Sequence, residues 1–266
     1  MTLPAPRPQH VAVITGASSG IGAEIARELS RRGHELVLVA RSAERLQSLA
    51  DELPTTAHVV PADLADREAR AGLLAELGTR GLTPQVLVNN AGLSTLGPVH
   101  RSDPAGELNM IEVDVAAVAD LCSRFVPGMV ERGSGAVLNV ASTAAFQPLP
   151  GQAAYGASKA FVLSYTRSLS AELKGTGVTA TVLCPGPVET GFGEAAGFTK
   201  EETEESLPAF MWVAAADVAK SAVDGLDKGT LVVIPGFANR AGAAFAHLMP
   251  KRVLLPFLAK NHPGLP

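Results

Sequence analysis

A tyrosine and a lysine four positions apart form the clearest chemical pair in the sequence, Tyr155 and Lys159. Positions four apart share one face of a helix, so both side chains can point into the same pocket. A free phenol has a pKa of about 10, and a neighbouring ammonium group favours the phenolate and lowers that pKa. The pair could therefore exchange a proton with a carbonyl or alcohol oxygen near neutral pH. Such pairs also occur on solvated helices, so this spacing alone is weak evidence.

A serine and a glycine-rich loop add two further candidate features. Ser142 follows an apolar run, and its hydroxyl could hold a substrate oxygen beside the phenol. Residues 15–22 read Thr-Gly-Ala-Ser-Ser-Gly-Ile-Gly and lie between a predicted strand and a predicted helix. The glycines permit a tight turn and a close approach of the backbone to a ligand. The start of the helix offers free N–H groups to a pyrophosphate. The alternative interpretation is a tight structural turn.

The residues after the second predicted strand indicate which dinucleotide would bind. NAD sites tend to place an acidic residue there, where it binds the ribose 2′-hydroxyl. Arg41 and Ser42 occupy this place, and residues 36–43 contain no acidic side chain. A guanidinium group can bind a 2′-phosphate through two hydrogen bonds. The sequence therefore favours NADP(H) over NAD(H), although an ordinary surface arginine is the simpler alternative.

Alternating strand and helix patterns predict how these residues are positioned. Short apolar runs alternate with longer segments of helical periodicity, which indicates βαβ units around a parallel sheet. We expect an α/β fold with a single Rossmann-type doubly wound domain, in which helices flank both faces of a mostly or wholly parallel seven-stranded sheet. The predicted strands are residues 11–14, 36–40, 57–60, 86–88, 136–140, 178–183 and 231–234, and the predicted helices are residues 21–32, 43–53, 66–77, 104–129, 153–173 and 215–226.

The same pass along the chain predicts its organisation. Residues 1–9 contain three prolines and are expected to form a disordered lead-in. Residues 10–236 form the catalytic domain, with a mobile substrate lid at about residues 192–212. Residues 237–266 form a helical extension that packs on the domain or on a partner subunit. Contact of this extension with a membrane surface is a minority hypothesis.

Composition limits the possible functions. The net charge of −4 does not indicate a nucleic-acid-binding surface. The two cysteines and six histidines have no metal-ligand spacing, so no metal site is expected and a reducing cytoplasm is favoured. The sequence contains no uninterrupted run of about 18 apolar residues, so we expect no membrane span.

Six motifs in order resemble the short-chain dehydrogenase/reductase family over residues 11 to about 236. They are the loop of residues 15–22, the Asp63-Leu64 pair, Asn89-Asn90-Ala91-Gly92, Ser142, the Tyr155–Lys159 pair, and residues 185–190 with the sequence Pro-Gly-Pro-Val-Glu-Thr. Each motif is weak alone. Their order, with each at an expected strand end, makes coincidence very improbable.

The resemblance implies hydride transfer between C4 of a nicotinamide and a carbonyl carbon. Tyr155 would protonate the nascent alkoxide, Ser142 would orient the carbonyl, and Lys159 would hold the nicotinamide ribose and lower the tyrosine pKa. The backbone near Val188 and the hydroxyl of Thr190 would hold the carboxamide. The implied cofactor contacts are Gly16, Ser18, Ser19, Gly20, Ile21, Gly22, Arg41, Ser42, Asp63, Leu64, Asn90, Ala91, Gly92, Tyr155, Lys159, Pro185, Gly186, Val188 and Thr190.

One position departs from the family pattern. The family usually has an asparagine on the long helix before the fifth strand, and its backbone carbonyl holds a water that connects the lysine to solvent. Asp114 occupies this position here. An ionised aspartate cannot donate the hydrogen bond of an amide, and its charge would strengthen the ammonium form of Lys159. A tolerated, nearly isosteric exchange is the favoured interpretation, and a chemical role for Asp114 is the alternative.

The expected substrate is a small hydrophobic carbonyl or alcohol compound. Its pocket is predicted to include Ser142 together with Leu93, Phe146, Gln147, Phe192 and Trp212. An apolar lid suits an apolar substrate. A protein that senses NADP(H) without turnover is the alternative function. A homodimer or homotetramer through the long helices is the expected assembly.

Overall fold

Seven parallel strands lie at the centre of the part of the chain that the structure describes. The structure is a computed structural model and describes residues 2–195, 208–261 and 265. The strands form one sheet in the order β3-β2-β1-β4-β5-β6-β7, with every neighbouring pair parallel. Their bounds are β1 His10–Thr15, β2 Glu35–Ala40, β3 Ala57–Pro61, β4 Thr83–Asn89, β5 Gly135–Val140, β6 Val178–Leu183 and β7 Val232–Val233.

Residues Val11 to Ile14 of β1 are all apolar, as expected for a strand with helices on both faces of the sheet. Val11 and Val13 of β1 pack into the core on one face, while Ala12 and Ile14 pack into the core on the other. Alternate residues of a strand point to opposite faces, so a doubly covered strand needs a continuous apolar run. The prediction of a doubly wound parallel sheet is confirmed.

Helices on the two faces belong to two separate hydrophobic cores. Side chains of α1, α2 and α7 contribute to one core, and those of α3, α5 and α6 contribute to the other. The bounds are α1 Gly20–Arg31, α2 Ala43–Glu52, α3 Arg67–Thr79, α4 Pro104–Ile111, α5 Ala117–Glu131, α6 Ala153–Glu172, α7 Ala215–Asp227, α8 Phe237–Leu248 and α9 Lys251–Asn261.

The long helix predicted over residues 104–129 has an interruption that the sequence did not indicate. A π-helical turn, Glu112–Ala116, joins α4 to α5 and contains Asp114. Single π-helical turns inside α-helices often occur at functional sites. Pro127 does not end α5, which continues to Glu131.

The beginning of the chain contacts the domain at Thr2 and Leu3. The backbone N–H of Thr2 donates to the carbonyl of Asp227 at 2.9 Å. Leu3 packs against the core that contains α1 and α7. Backbone groups and one apolar side chain of this segment thus have partners on the domain, and the disordered lead-in stays a prediction.

The predicted lid is described only at its two ends. Phe192–Ala195 forms one helical turn, and Ala209–Met211 forms a 3₁₀ turn. Residues 196–207 of the predicted lid lie outside the described residues. An isolated parallel bridge between Val188 and Val213 joins the segment after β6 to the end of the lid.

The extension after β7 forms α8 and α9, and α8 packs on the domain through small residues. Ala243 and Ala246 are buried, as is Asn239. No helix within residues 2–195 and 208–261 is long and apolar enough to cross a membrane. The division of the chain into lead-in, domain, lid and extension stays a prediction.

Candidate active site

The carboxyl ends of six strands bring the predicted site residues to one edge of the sheet. The glycine loop follows β1, Arg41 follows β2, Asp63 follows β3, and Asn90 follows β4. Ser142 lies after β5, and residues 185–190 follow β6. Ligands in open α/β sheets bind outside the carboxyl ends of the strands, where the strand order changes direction. Here the order changes between β1 and β4.

Thr15 and Asn90 tie the ends of β1 and β4 together. The hydroxyl of Thr15 donates to the carbonyl of Val88 at 3.2 Å and accepts from the N–H groups of Asn90 and Ala91 at 2.9 and 3.0 Å. The amide of Asn90 donates to the carbonyls of Thr15 and Gly16 at 3.0 and 3.3 Å. These bonds fix the glycine loop to β4, so Asn90 has a structural role in the loop.

Two glycines of the loop are required by this packing. A Cβ atom on Gly22 would lie 2.4 Å from both the Asn90 amide nitrogen and the Gly16 carbonyl oxygen. One on Gly16 would lie 2.8 Å from the Cα of Ala91, and the φ of Gly16 is +63°. Any larger residue would therefore push the loop away from β4.

The start of α1 fits a bound pyrophosphate. Ser19 is the N-cap residue, and its side chain makes no capping hydrogen bond. The first turn of α1 contains no acidic residue. The first N–H groups of a helix lack partners within the helix and carry partial positive charge, so they attract an anion. Gly20, Ile21 and Ser18 border this helix start, as the sequence predicts.

Arg41 is exposed beside this loop, while Ser42 already has a structural partner. The Arg41 side chain forms no hydrogen bond or ion pair that the structure records with residues 2–195 or 208–261. The Ser42 hydroxyl accepts from the N–H of Arg45 at 3.4 Å and caps α2. Arg41 is thus available to bind a phosphate, and Ser42 holds the start of the next helix.

Asp63 and Leu64 form the turn that follows β3. The carboxylate of Asp63 accepts from the N–H of Ala65 at 3.0 Å, and Asp63 is exposed. Leu64 is buried, and its carbonyl accepts from the guanidinium of Arg70. The turn therefore presents the Asp63 side chain at the surface and anchors itself through Leu64.

The segment after β6 crosses over the glycine loop. The Cγ2 atom of Thr190 lies 3.1 Å from the place where a Cβ of Gly20 would be. Because Thr190 and Gly20 are neighbours, residues 185–190 and the loop form two walls of one groove. Val188 is bridged to Val213, which places the end of the lid beside the same groove.

The three predicted catalytic side chains lie together at the start of α6. Ser142 hydrogen-bonds the Tyr155 phenol, and the ammonium of Lys159 lies 5.5 Å from the centre of the Tyr155 ring. The Ser142 hydroxyl also accepts from the N–H of Ala144 at 3.1 Å, which starts a 3₁₀ turn over Thr143–Phe146. The four-residue spacing of Tyr155 and Lys159 puts both on one face of the helix, as predicted.

A direct ion pair holds the lysine. The ammonium of Lys159 lies 2.8 Å from Oδ2 of Asp114, and both side chains are buried. The other carboxylate oxygen of Asp114 accepts from the N–H of Leu93 at 2.7 Å. An aspartate can accept at both oxygens, whereas an asparagine could accept at only one. The carboxylate therefore joins α6, the π-helical turn and the loop after β4.

This arrangement shifts the pKa values of the pair in a defined direction. Burial alone would lower the pKa of Lys159, but the charges of Asp114 and Tyr155 outweigh it and raise that pKa. Desolvation raises the pKa of Tyr155 and outweighs Lys159 and the hydrogen bond from Ser142, which act to lower it, so the predicted net lowering of this pKa is wrong. Asp114 raises the Tyr155 pKa further. The aspartate thus opposes the effect of the lysine on the phenol.

The predicted substrate residues differ in their exposure and in their contacts. The Phe192 ring lies 6.0 Å from the Tyr155 ring, and Phe192 is 39% exposed. Phe146 packs against the core that contains α5 and α6, so part of its surface is committed to the domain. Leu93, Gln147 and Trp212 are half-buried. The Phe192 ring is therefore placed beside the Tyr155 ring.

Asn239 is a site residue that the sequence analysis missed. It lies on α8, is 2% exposed, and its amide donates to the carbonyls of Met211 and Pro235 at 2.9 and 3.1 Å. Its Oδ1 atom lies 2.3 Å from the place where a Cβ of Gly186 would be. Asn239 therefore supports Gly186 and connects the segment after β6 to the lid. Because Asn239 and Gly186 are 53 positions apart, no local sequence pattern indicates their contact.

The described residues do not suggest a metal or thiol centre. No group of three His, Cys, Asp or Glu side chains that could hold a metal lies within residues 2–195 and 208–261. Cys122 and Cys184 are buried and unbridged, and burial raises the pKa of their thiols to about 11 and about 12. Neither thiol is a nucleophile at neutral pH.

Comparison with known proteins identifies the family of the chain. A family model described as short chain dehydrogenase matches residues 10–201. The chain belongs to the short-chain dehydrogenase family. The match includes every predicted site residue except Trp212, and it includes neither α8 nor α9.

Individual relatives of this short-chain dehydrogenase cover most of its length. The NADP-dependent 3-hydroxy acid dehydrogenase YdfG of Salmonella typhi is 36% identical over 219 residues, which are 77% of this chain and 88% of that protein. A short-chain dehydrogenase from Sphingobium yanoikuyae, solved in complex with NADPH, is 32% identical with a TM-score of 0.78, covering 93% of this chain and 95% of that one.

An alcohol dehydrogenase with a stated ketone preference is also similar. The bulky-bulky ketone specific enzyme from Comamonas testosteroni is 28% identical, with a TM-score of 0.73. The match covers 91% of this chain and 95% of that chain.

Replacing Asp114 with asparagine tests the role of the carboxylate. We expect Asp114→Asn to keep the maximal rate within about tenfold, a barrier change of about 1.4 kcal/mol. The midpoint of the pH profile for alcohol oxidation should move to lower pH, because the negative charge that raises the Tyr155 pKa is gone. Steady-state rates between neutral and alkaline pH measure this. A rate loss far beyond tenfold would assign the carboxylate itself a chemical role.

Replacing Asn239 with alanine tests whether α8 positions the segment after β6. We expect Asn239→Ala to raise the KM for the dinucleotide about three- to tenfold, because the side chain that packs on Gly186 and its hydrogen bond to Met211 in the lid are lost. Leu254→Ala, which truncates another buried residue of the extension, is the control. Equal KM changes in both variants at equal loss of Tm would mean that Asn239 acts only on stability.

Proposed function

We propose that this protein is an NADP(H)-dependent oxidoreductase that interconverts an apolar ketone or aldehyde and its alcohol, with Tyr155 as the general acid and base. The observation that carries the proposal is the grouping of Ser142, Tyr155 and Lys159 beside Phe192 at the carboxyl edge of the sheet. A sensor without turnover has no need for all three catalytic side chains, which disfavours that alternative.

In the reductive direction each catalytic residue has one task. The bound nicotinamide supplies the hydride. Ser142 donates a hydrogen bond to the carbonyl oxygen and orients it beside the Tyr155 hydroxyl. Tyr155 then donates its proton to the oxygen as negative charge develops there. In the oxidative direction the phenolate takes the proton back.

Lys159 acts on the tyrosine through its charge, and Asp114 holds the lysine. The Lys159 ammonium stabilises the phenolate electrostatically and carries hydrogens that can bind the nicotinamide ribose. Asp114 keeps that ammonium charged and fixed in position. Lys159 would hold the ribose of a bound nicotinamide nucleotide, and with Asp114 beside its ammonium it lies where a proton could return to Tyr155.

The cofactor is NADP(H). The open start of α1 fits the pyrophosphate, and Arg41 is placed to bind the 2′-phosphate. Salmonella YdfG is NADP-dependent, and the Sphingobium enzyme was solved with NADPH, which supports the same choice.

The substrate side of the cleft favours an apolar compound. Phe192 faces the phenol, and none of Leu93, Phe146, Gln147 and Trp212 carries a charge. A 3-hydroxy acid, the substrate class of YdfG, would need a cation for its carboxylate, and Lys159 is already paired with Asp114. The preference of the Comamonas enzyme for bulky ketones supports an apolar substrate. A homodimer or homotetramer and a cytoplasmic location remain predictions.

Oxidation of NADPH at 340 nm tests the function directly. A panel of apolar aldehydes and ketones, 3-oxoacyl esters and 3-hydroxy acids (the last with NADP⁺) should give the highest kcat/KM with apolar ketones. Tyr155→Phe should lower the rate by about a hundredfold or more, since positioned proton transfer contributes that much.

Two outcomes would contradict the proposal. Full activity of Tyr155→Phe would remove the tyrosine from the mechanism. Binding of NADPH without turnover on the whole panel would favour the sensor. The highest kcat/KM with 3-hydroxy acids would keep the mechanism and replace the substrate class.

The cofactor preference is tested at Arg41. We expect Arg41→Ala to raise the KM for NADPH by about tenfold, because a charge-assisted contact with the 2′-phosphate is lost. The KM for NADH should be nearly unchanged, since NADH has no such phosphate. Arg31→Ala, which removes an exposed arginine from the opposite end of α1, is the control. Equal changes in the KM for NADPH and for NADH would mean that Arg41 does not bind the 2′-phosphate.

A further inference from the structure

The outer face of α8 is apolar and exposed. Phe237, Phe245 and Leu248 are 81%, 62% and 80% exposed, and their spacing of eight and three residues puts them on one side of the helix. The opposite side of α8 is the one that packs on the domain through Asn239, Ala243 and Ala246. The helix therefore has two apolar sides, of which only one has a partner within the described residues.

Two segments next to α8 in the chain or in the fold also carry large exposed apolar side chains. Val253 on α9 is 61% exposed, and Phe210 on the 3₁₀ turn of the lid is 75% exposed. This turn packs against α8, because Met211 accepts from Asn239 and its methyl group lies 3.8 Å from the place where a Cβ of Gly242 would be. We call Phe210, Phe237, Phe245, Leu248 and Val253 the C-terminal apolar surface. Scattered exposed apolar residues are ordinary, but several large ones on adjoining segments mark a binding surface.

The charge of the same segment identifies the kind of partner. Residues 237–266 contain four basic residues and no acidic residue. The whole chain has 22 Lys and Arg and 26 Asp and Glu, so residues 1–236 hold 18 basic and 26 acidic side chains, a net charge of −8 against +4. Arg240, Arg252 and Lys260 are exposed on α8 and α9. The cations thus lie on the helices that carry the exposed apolar side chains.

We infer that the C-terminal apolar surface binds an anionic lipid bilayer, with α8 lying flat at the membrane interface. Helices with large apolar side chains and Lys or Arg beside them bury the apolar side at the boundary of headgroups and acyl chains. The basic residues pair with anionic headgroups, and the net negative charge of the chain lies in residues 1–236.

A second copy of the chain fits this surface less well. Two copies meeting through the same surface would bring eight cationic side chains together, and residues 237–266 offer no acidic side chain to pair with them. Like charges across an interface oppose association. Lipid phosphates supply the missing negative charge.

Vesicle flotation tests the inference with the full-length chain. The probes are vesicles of phosphatidylcholine alone and vesicles that also contain phosphatidylglycerol, each at low and at high ionic strength. We expect the protein to float with the phosphatidylglycerol vesicles at low salt and to be released at high salt, since salt screens the headgroup charge. Phe245→Ser with Leu248→Ser should lower the bound-to-free ratio at least about tenfold, because two apolar side chains no longer leave water.

Matched variants separate the surface from general effects. Val99→Ser with Leu108→Ser removes two side chains that are 66% and 64% exposed on another part of the molecule, and it should leave flotation unchanged. Arg240→Gln should lower binding about fivefold, as expected for one cation near an anionic surface. NADPH oxidation with a water-soluble ketone should stay unchanged in all of these variants, which shows that each is folded.

Defined results would overturn the inference. Absence of wild-type flotation with phosphatidylglycerol vesicles would do so, as would equal flotation of the Phe245/Leu248 variant. Light scattering with size-exclusion chromatography measures the oligomeric state and so tests whether a second copy of the chain binds this surface instead. Conversion of an oligomer to a monomer by the Phe245/Leu248 change, without lipid binding, would assign the surface to contact between copies.

Discussion

The ion pair between Lys159 and Asp114 is the interaction on which the geometry of the site depends. A buried ammonium group costs several kcal/mol unless an opposite charge and hydrogen bonds compensate it. Asp114 provides that charge at 2.8 Å and also accepts from Leu93 in the loop after β4. Three separate segments are therefore held in one arrangement. The Tyr155 phenol, one helical turn before the lysine, takes its position from the same arrangement.

The sequence predicted the parts of the site that rest on local patterns. The apolar strands, the glycine loop and the Tyr155–Lys159 spacing are each contained in a few residues, and neighbouring parallel strands end at one edge. The resemblance predicted that the charge of Asp114 would act on Lys159, but not a direct ion pair, because the pair joins residues 45 positions apart through a π-helical turn. Asn239 was missed for the same reason, since its partner Gly186 lies 53 positions earlier. The contact of Thr2 with the distant Asp227 likewise has no local signal in the sequence.

In the extension after β7, one side of α8 packs on the domain and the other side is exposed. Asn239, on the inner side of α8, supports Gly186 and holds the lid at Met211. The side chains of Phe237, Phe245 and Leu248, on the outer side, are largely exposed in the part of the chain that the structure describes. A single helix thus connects the groove of the proposed cofactor to the surface proposed to meet a bilayer.

Titration of the Tyr155 phenol by ¹³C NMR tests the central claim that Asp114 acts on the tyrosine through charge. The chain has two tyrosines, so Tyr165→Phe leaves one labelled ring. In this background we expect Asp114→Asn to lower the pKa of Tyr155, because the carboxylate that raises it is removed. A pKa that stays the same or rises would contradict the account.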